Sequence, residues 1–404
     1  MGKKLSIGVS NIARKGKKGW IGVDNKARKI KKMWIGDSSG KARLCWSGSG
    51  RFLNQVWMQR VTSSSSQNVK NSFISDDGLT WNLTSTERPH HGFKDIIYAK
   101  GKFWAVYPAS YQVNIYSSPD GETWTLVKSF REDNSCYFDG RSTIIRYENG
   151  VFIIHDNYQN NCKYMCYSTD GVTWTGMRYN HQYSSYKMYV PIDIRYGTVN
   201  GVSGWYILAS DASNVTVVYR FKTLNDLTSG NAEVLTAVSF RSNRGLLDIR
   251  NDTLYVLFSY NTGTIQSTAH TIYLYSYRTS WTQIGKVTGN TLGSMWITDK
   301  TLAFRGIWWN DAQLAWSAHF AKYTYSTGEF VSGTGDWYGG TQETKNTAFV
   351  DGRMWQVSGD VGRYSDDYGS TVTRFTIPTG TNETVNINYR MLVYGDEDYG
   401  YYRA

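Results

Sequence analysis

Long apolar runs are missing from this chain of 404 residues. No stretch approaches the roughly 18 apolar residues that a spanning helix needs, so none is expected to cross a membrane. The opening Met1-Gly2-Lys3-Lys4-Leu5-Ser6-Ile7-Gly8 holds no apolar core of a leader, and no signal peptide is expected. Cysteine is scarce: Cys45, Cys136, Cys162 and Cys166 are expected as reduced thiols of a protein assembled in a cytoplasm. Cys162-x-x-x-Cys166 with His155 is loosely spaced for zinc, and no second Cys/His pair follows. Buried thiols on strands are the better reading, and no metal or cofactor is expected. There is no His-Glu-x-x-His, no glycine loop that would cradle a phosphate, and no oxygen-rich loop of EF-hand type. Charged residues make up 19% and apolar ones 40%, which excludes a disordered chain and a coiled coil.

What is abundant points to strands. Aromatics reach 15%, with 31 Tyr and 16 Trp against 5 Pro, and Gly stands at 39. Such a composition favours pleated strands and tight turns. The charge is unevenly placed. Residues 1–46 hold thirteen of the 44 basic residues and two of the 33 acidic ones, Asp24 and Asp37. The whole net charge of +11 therefore sits in this head, and the remaining chain is neutral.

The head is repetitive. Ile7-Gly8-Val9 through Trp20 is followed in a 14-residue register by Ile21-Gly22-Val23 through Trp34, and a third copy runs from Ile35-Gly36 to Trp46. Each copy reads as strand, polar turn, strand. One copy alone buries little, so it needs neighbours or a partner surface. Residues 1–46 are expected as a docking segment, with Arg14, Lys15, Trp20, Arg28, Lys29 and Trp34 as its contact residues. Regular Trp spacing makes nucleic acid the weaker partner.

A longer repeat fills 47–404. Strands open at Phe52, Phe103, Phe152, Trp205, Leu254, Leu302 and Met354, in steps of 48 to 53 residues. A second motif follows each of the first three: Ser75-Asp76-Asp77-Gly78-Leu79-Thr80-Trp81, Ser118-Pro119-Asp120-Gly121-Glu122-Thr123-Trp124 and Ser168-Thr169-Asp170-Gly171-Val172-Thr173-Trp174. A late copy, Ser365-Asp366-Asp367-Tyr368-Gly369, carries one extra residue. Asp-Gly is a hairpin turn, the Ser and Asp oxygens can bond turn N–H groups, and the Trp is placed to pack between sheets. Ser75, Asp77, Gly78, Trp81, Ser118, Asp120, Gly121, Trp124, Ser168, Asp170, Gly171, Trp174, Ser365, Asp367 and Gly369 are thus expected as structural. A four-stranded unit of about 50 residues repeated radially is a propeller blade. The expected fold is all-β: a β-propeller of seven four-stranded blades, with six or eight as alternatives, preceded by the small basic β segment. Residues 383–394 read as a further strand that pairs with the first blade.

The Ser-x-Asp-Gly-x-Thr-Trp copies resemble the Asp-box (BNR-type) repeat of sialidase-like propellers. The shorter copies are similar to propellers of bacteriophage tail and virion appendage proteins, and the 14-residue units are similar to repeats in phage structural proteins of Gram-positive bacteria. That resemblance implies a non-enzymatic virion protein, tail- or baseplate-associated and present in several copies. It would be anchored on other virion proteins through 1–46, would attach to a bacterial surface glycan, and would be assembled in the host cytoplasm. A capsid decoration protein is the first alternative and a glycan-degrading hydrolase the second. Sialidases of this family carry an Arg-Ile-Pro element, and this sequence has none. Other glycosidases need only two suitably spaced carboxylates. For glycan contact the candidates are Trp308, Trp309 and Asn310, with Trp337 and Tyr338, because aromatic faces stack on sugar rings and amides bond hydroxyls. Tyr111-Gln112-Val113-Asn114 and the segment from His181 to Tyr186 are weaker candidates.

Overall fold

The computed structural model describes side chains over residues 93–109, 112–131, 143–155, 165–177, 191–209, 216–235, 245–258, 271–287, 301–304 and 321–332, with 89, 364 and 373–375; residues 98, 120 and 122 are excepted, and further strands are described by their backbone alone. Three antiparallel hairpins come first: Ser6–Val9 with Ile12–Lys15, Gly19–Val23 with Lys26–Ile30, and Lys32–Gly36 with Ala42–Ser47.

Seven sheets of four or five strands follow. Blade one sets Ile387–Tyr394 innermost, then Gln55–Thr62, Ser72–Ser75 and Asn82–Leu83. Blades two to seven follow in chain order, with inner strands Asp95–Ala99, Thr143–Glu148, Tyr186–Val199, Gly245–Arg250, Thr291–Ile297 and Thr347–Val350. Each inner strand neighbours the next, and the seventh neighbours Ile387–Tyr394, so the ring closes. The closing strand pairs from Ile387 opposite Thr62 to Tyr394 opposite Gln55, which joins the two ends of the chain's sheet system and covers an edge. This is an all-β propeller, and its seven sheets agree with the seven strand openings. Six of those openings lie in the second strand of a blade, from Phe103 in Lys102–Ala109 to Met354 in Arg353–Ser358. Phe52 lies outside the described residues. The last strand, Tyr401–Arg403, pairs with the inner strand of blade six at Met295–Ile297, on the edge that faces the ring's axis.

Two local causes set the blades. The first two strands of a blade are joined by two-residue turns with both residues at positive φ: Lys100-Gly101, Asn149-Gly150, Asn200-Gly201 and Asn251-Asp252. That backbone twist matches the twist of the paired strands, and Asn and Gly adopt it at least cost. The core then forms between blades. Trp104, Val106 and Ile115 of blade two pack with Phe152, Ile154 and Cys166 of blade three, and Ile192, Tyr206 and Leu208 of blade four pack with Leu247, Leu254 and Val256 of blade five. Each such fully buried aliphatic side chain contributes about 1.5–3 kcal/mol. Blade four departs from the repeat. A short helix, Leu224–Ser229, stands between its third and fourth strands, capped by Thr223 and Asp226 in a reciprocal box and ended by Gly230 at φ 79.

Because successive strands are antiparallel, the connections sort onto two faces. The turns between strands one and two and between strands three and four share one face. The loops between strands two and three, and the crossings to the next blade, share the other.

Candidate functional site

The repeated Ser-Asp-Gly turns can be followed atom by atom in their second and third copies. Ser118 Oγ accepts the Gly121 N–H at 2.8 Å, and Trp124 Nε1 donates to the Gly121 carbonyl at 3.1 Å. In the third copy Ser168 Oγ accepts from Gly171 N at 2.8 Å, Asp170 Oδ1 accepts from Val172 N and Thr173 N at 2.7 Å, and Trp174 Nε1 donates to the Gly171 carbonyl at 3.1 Å. These backbone bonds, with the Ser168 hydroxyl, hold the exposed Asp170 carboxyl well below the ordinary carboxylate range. Its Oδ1 is engaged by the turn, which is the behaviour of a turn former and not of a proton-transfer group. Asp120 lies outside the described residues, as do Asp77, Gly78, Trp81, Asp367 and Gly369; Ser75 and Ser365 are described only as the ends of strands.

Gly171 ties this turn to the neighbouring blade. Its φ is +85, and a Cβ there would stand 2.5 Å from Cη2 of Trp104 in blade two. Left-handed strain of about 1–2 kcal/mol and overpacking of about 1–3 kcal/mol then act together. Gly171→Ala is expected to lose about 2–4 kcal/mol in a urea unfolding curve. A loss under about 1 kcal/mol would mean that the indole gives way freely.

The inner strands carry charges that the sequence reading did not single out. Arg146, at 1% side-chain exposure, donates through Nε and Nη2 to Asp193 Oδ1 of blade four, both at 3.2 Å, and its Nη1 lies 3.6 Å from Asp95 Oδ2 of blade two. Asp95 and Asp193 act alike. Each accepts the N–H of its own next residue, Ile96 or Ile194, and that of the following blade, Ile145 or Leu247. Arg195 repeats the role of Arg146 one blade on, with Nη1 2.6 Å from Glu148 Oε1 and Nε donating to the Leu247 carbonyl. Burial opposes its charge, but Glu148, Asp193 and Asp248 outweigh that, and Arg195 titrates above an ordinary arginine. Asp248 of blade five accepts from Arg250 Nε at 3.1 Å and from the Tyr325 hydroxyl of blade six at 2.5 Å. A line of carboxylates and guanidiniums thus stitches blades two to five along the inner strands, and the Tyr325 hydroxyl ties blade six to its end. Its groups hold one another and the backbone, so its chemistry is that of a clamp.

Tyr325 leads a set of shielded phenols. Desolvation, then the Asp248 charge, push it well above the ordinary value of 10.0. Burial likewise raises Tyr116, Tyr206, Tyr255 and Tyr275, with neighbouring Tyr323 adding to the rise at Tyr255. A folded pKa above the unfolded one gives stability that is intact below about pH 10 and is lost as pH rises through the folded values. In an absorbance titration of tyrosinate, these five are expected to lag the other tyrosines and to ionise together with unfolding. Tyr325→Phe should shrink that late step, and a smooth ordinary titration of every tyrosine would contradict the arrangement.

The first three aromatic-loop candidates close a strand of blade six. Trp308, Trp309 and Asn310 end the second strand of blade six, where Asn310 stands opposite Ala315 in the ladder. Trp337 and Tyr338 belong to the segment joining Glu329–Thr334 of blade six to Thr347–Val350, the inner strand of blade seven. The second and fourth strands of blade six therefore both end on the side opposite the Ser-Asp-Gly turns, and residues 311–314 and 335–346 lie outside the described residues. The side chains of Trp308, Trp309, Asn310, Trp337 and Tyr338, like those of Arg14, Lys15, Trp20, Arg28, Lys29 and Trp34, lie outside the described residues. Gln112 and Asn114 are described: Asn114 Oδ1 accepts from Ser129 Oγ at 2.7 Å and from Gln112 Nε2 at 3.2 Å, which ties that pair into blade two. Gln182–Tyr183 forms a small ladder with Tyr186 and Lys187. Cys166 is buried in the packing between blades two and three and forms no disulfide.

No family model matches the chain, and no curated protein does. Solved structures do. A candidate 6-phosphogluconolactonase of Bacteroides fragilis aligns over 84% of this chain and 98% of its own, with a TM-score of 0.53 at 10% identity. A GH74 enzyme of Niastella koreensis aligns over 80% of this chain and 54% of its own, at a TM-score of 0.48 and 14% identity. The periplasmic gluconolactonase of Pseudomonas aeruginosa aligns over 83% and 99%, at 0.44 and 10%. At such identities the likeness establishes the propeller fold. The first of these neighbours, aligned at a TM-score of 0.53, is described as an enzyme and not as a virion component, which corrects the expectation of a non-enzymatic phage tail or baseplate protein that serves for host attachment. The physical source of the error is visible in the turns. Ser-Asp-Gly-Trp spends its polar atoms on local backbone, so it marks a way of turning a hairpin and carries no information on chemistry or location. The chain's fold is a β-propeller.

Proposed function

We propose that this chain is a carbohydrate-active hydrolase whose site lies on the loop face of blades six and seven. The reading rests on Trp308, Trp309 and Asn310 closing the second strand of blade six, with Asp311 next in sequence, and on Asp336-Trp337-Tyr338 following that blade's fourth strand in sequence, in a propeller similar over 84% of the chain to a candidate sugar-lactone hydrolase. Tryptophan and tyrosine faces stack on pyranose rings at small entropic cost, and asparagine bonds ring hydroxyls. Asp311 and Asp336 flank the aromatics and supply two carboxyl groups, the minimum for acid–base cleavage of a glycosidic bond.

The test is turnover by the purified chain on a panel of neutral and acidic polysaccharides and aldonolactones, followed by release of reducing ends or of acid. Cleavage of at least one glycan is expected. Trp309→Ala should raise KM about 2- to 10-fold with little change in kcat, as a lost stacking contact does. Binding of glycans without any turnover would overturn the hydrolase reading.

A further inference from the structure

The three hairpins that precede the propeller are built to one register. Ile7 stands opposite Arg14, Ile21 opposite Arg28, and Ile35 opposite Arg43, and in each hairpin the next pair is a glycine opposite an alanine. The second strands, Ile12–Lys15 and Lys26–Ile30, hold Arg14, Lys15, Lys26, Arg28 and Lys29. An arginine thus recurs at the same place in each of three ladders, and a lysine joins it in the first two, opposite Ser6 and Trp20. The whole net charge of +11 lies within residues 1–46, while the propeller that follows is neutral. A neutral partner would gain nothing from this concentration of positive charge, and self-repulsion among these groups favours an anion that spans several of them.

We infer that the hairpins form a polyanion-binding array that holds an acidic polysaccharide, each hairpin presenting one arginine-bearing step to the chain. Trp20, Trp34 and Trp46 recur with the charges and supply faces for sugar rings, which a surface made only to neutralise phosphates does not need. The choice of polysaccharide over nucleic acid rests on the reading of the propeller as carbohydrate-active. The array would raise the local concentration of an anionic glycan beside the propeller, in the manner of a second binding module on one chain.

The experiment uses the full chain and three probes: polygalacturonate, neutral dextran and a DNA duplex, at 50 and 200 mM salt. Polygalacturonate is expected to bind, with affinity falling 10-fold or more between the two salts through counterion release, and dextran is expected not to gain from the hairpins. Replacing Arg14, Lys15, Arg28 and Lys29 together by Gln should flatten the logarithmic salt slope by about 2–4. Unchanged binding by that variant, or duplex DNA bound more tightly than polygalacturonate, would overturn the inference. The salt slope of the unsubstituted chain decides the matter if the variant does not fold. Turnover of a neutral oligosaccharide is measured separately, so that a propeller without activity beside a working polyanion array is told apart from the reverse.

Discussion

Replacing Arg146 by Met is expected to cost about 3–5 kcal/mol of unfolding free energy, the cost of stranding a buried charge. The substitution keeps much of the side-chain volume, so little of the loss comes from a cavity. What remains behind is Asp193, at 0% exposure, deprived of both guanidinium bonds at 3.2 Å. The N–H groups of Ile194 and Leu247 still reach that carboxylate, at 2.9 and 2.8 Å, and Arg195 still acts on it through space, but the direct guanidinium bonds that balance its charge in so dry a place are lost. The pairing predicts its own control. In an Asp193→Asn background the charge is gone, and Arg146→Met should cost less by about 1–3 kcal/mol, the coupling that groups in one network show. The measurement is a four-member cycle of urea unfolding curves. Additive losses, or a single loss near 1 kcal/mol, would show that Arg146 does not serve Asp193. Arg146 also lies 3.6 Å from Asp95, so the variant loosens three successive blades at once.

Much of this fold is legible from the residues. The spacing of Phe103, Phe152, Trp205, Leu254, Leu302 and Met354 gives the blades, because each falls in the second strand of a blade, and the first four follow a two-residue turn at positive φ, Asn-Gly in two of them. The alternation near 383–394 marks the strand that pairs with Gln55–Thr62. Other features leave weaker traces. Thr223 and Asp226, followed by Gly230, are a helix-capping pattern, yet the six residues between Thr223 and Gly230 read equally as a loop. The inner-strand charges are hidden for a different reason. Asp95, Arg146, Asp193 and Arg195 lie 47 to 54 residues from their hydrogen-bond partners on neighbouring blades, and only the closed ring brings successive blades within reach. A lone Arg in Thr143-Ile144-Ile145-Arg146 looks like a solvent-facing strand position until the neighbouring blade is placed against it. Function was the least legible, since the most regular motif is the one whose atoms are used up by its own turn.

Substituting the two loop-face carboxylates is expected to have the largest effect on turnover. Asp311→Asn and Asp336→Asn each remove a proton-transfer group while keeping shape, and each should lower kcat by about 10²- to 10⁴-fold. KM should move little, because Trp308, Trp309, Trp337 and Tyr338, the residues proposed to stack on the sugar, are untouched; Trp309→Ala separates the roles by doing the converse. The rate of the unsubstituted chain should be bell-shaped in pH, one limb for the carboxylate that must be ionised and the other for the carboxylic acid that must keep its proton. The Asn variants should each lose the limb that belongs to the missing group. The anomer first released then reports the spacing of the pair: retention requires carboxyls about 5–5.5 Å apart, and inversion about 6.5–9.5 Å, with room for a water. If both variants kept full rate while turnover persisted, the reacting carboxylates would have to come from other blades. The aromatic residues of blades six and seven would then bind the glycan without taking part in its cleavage.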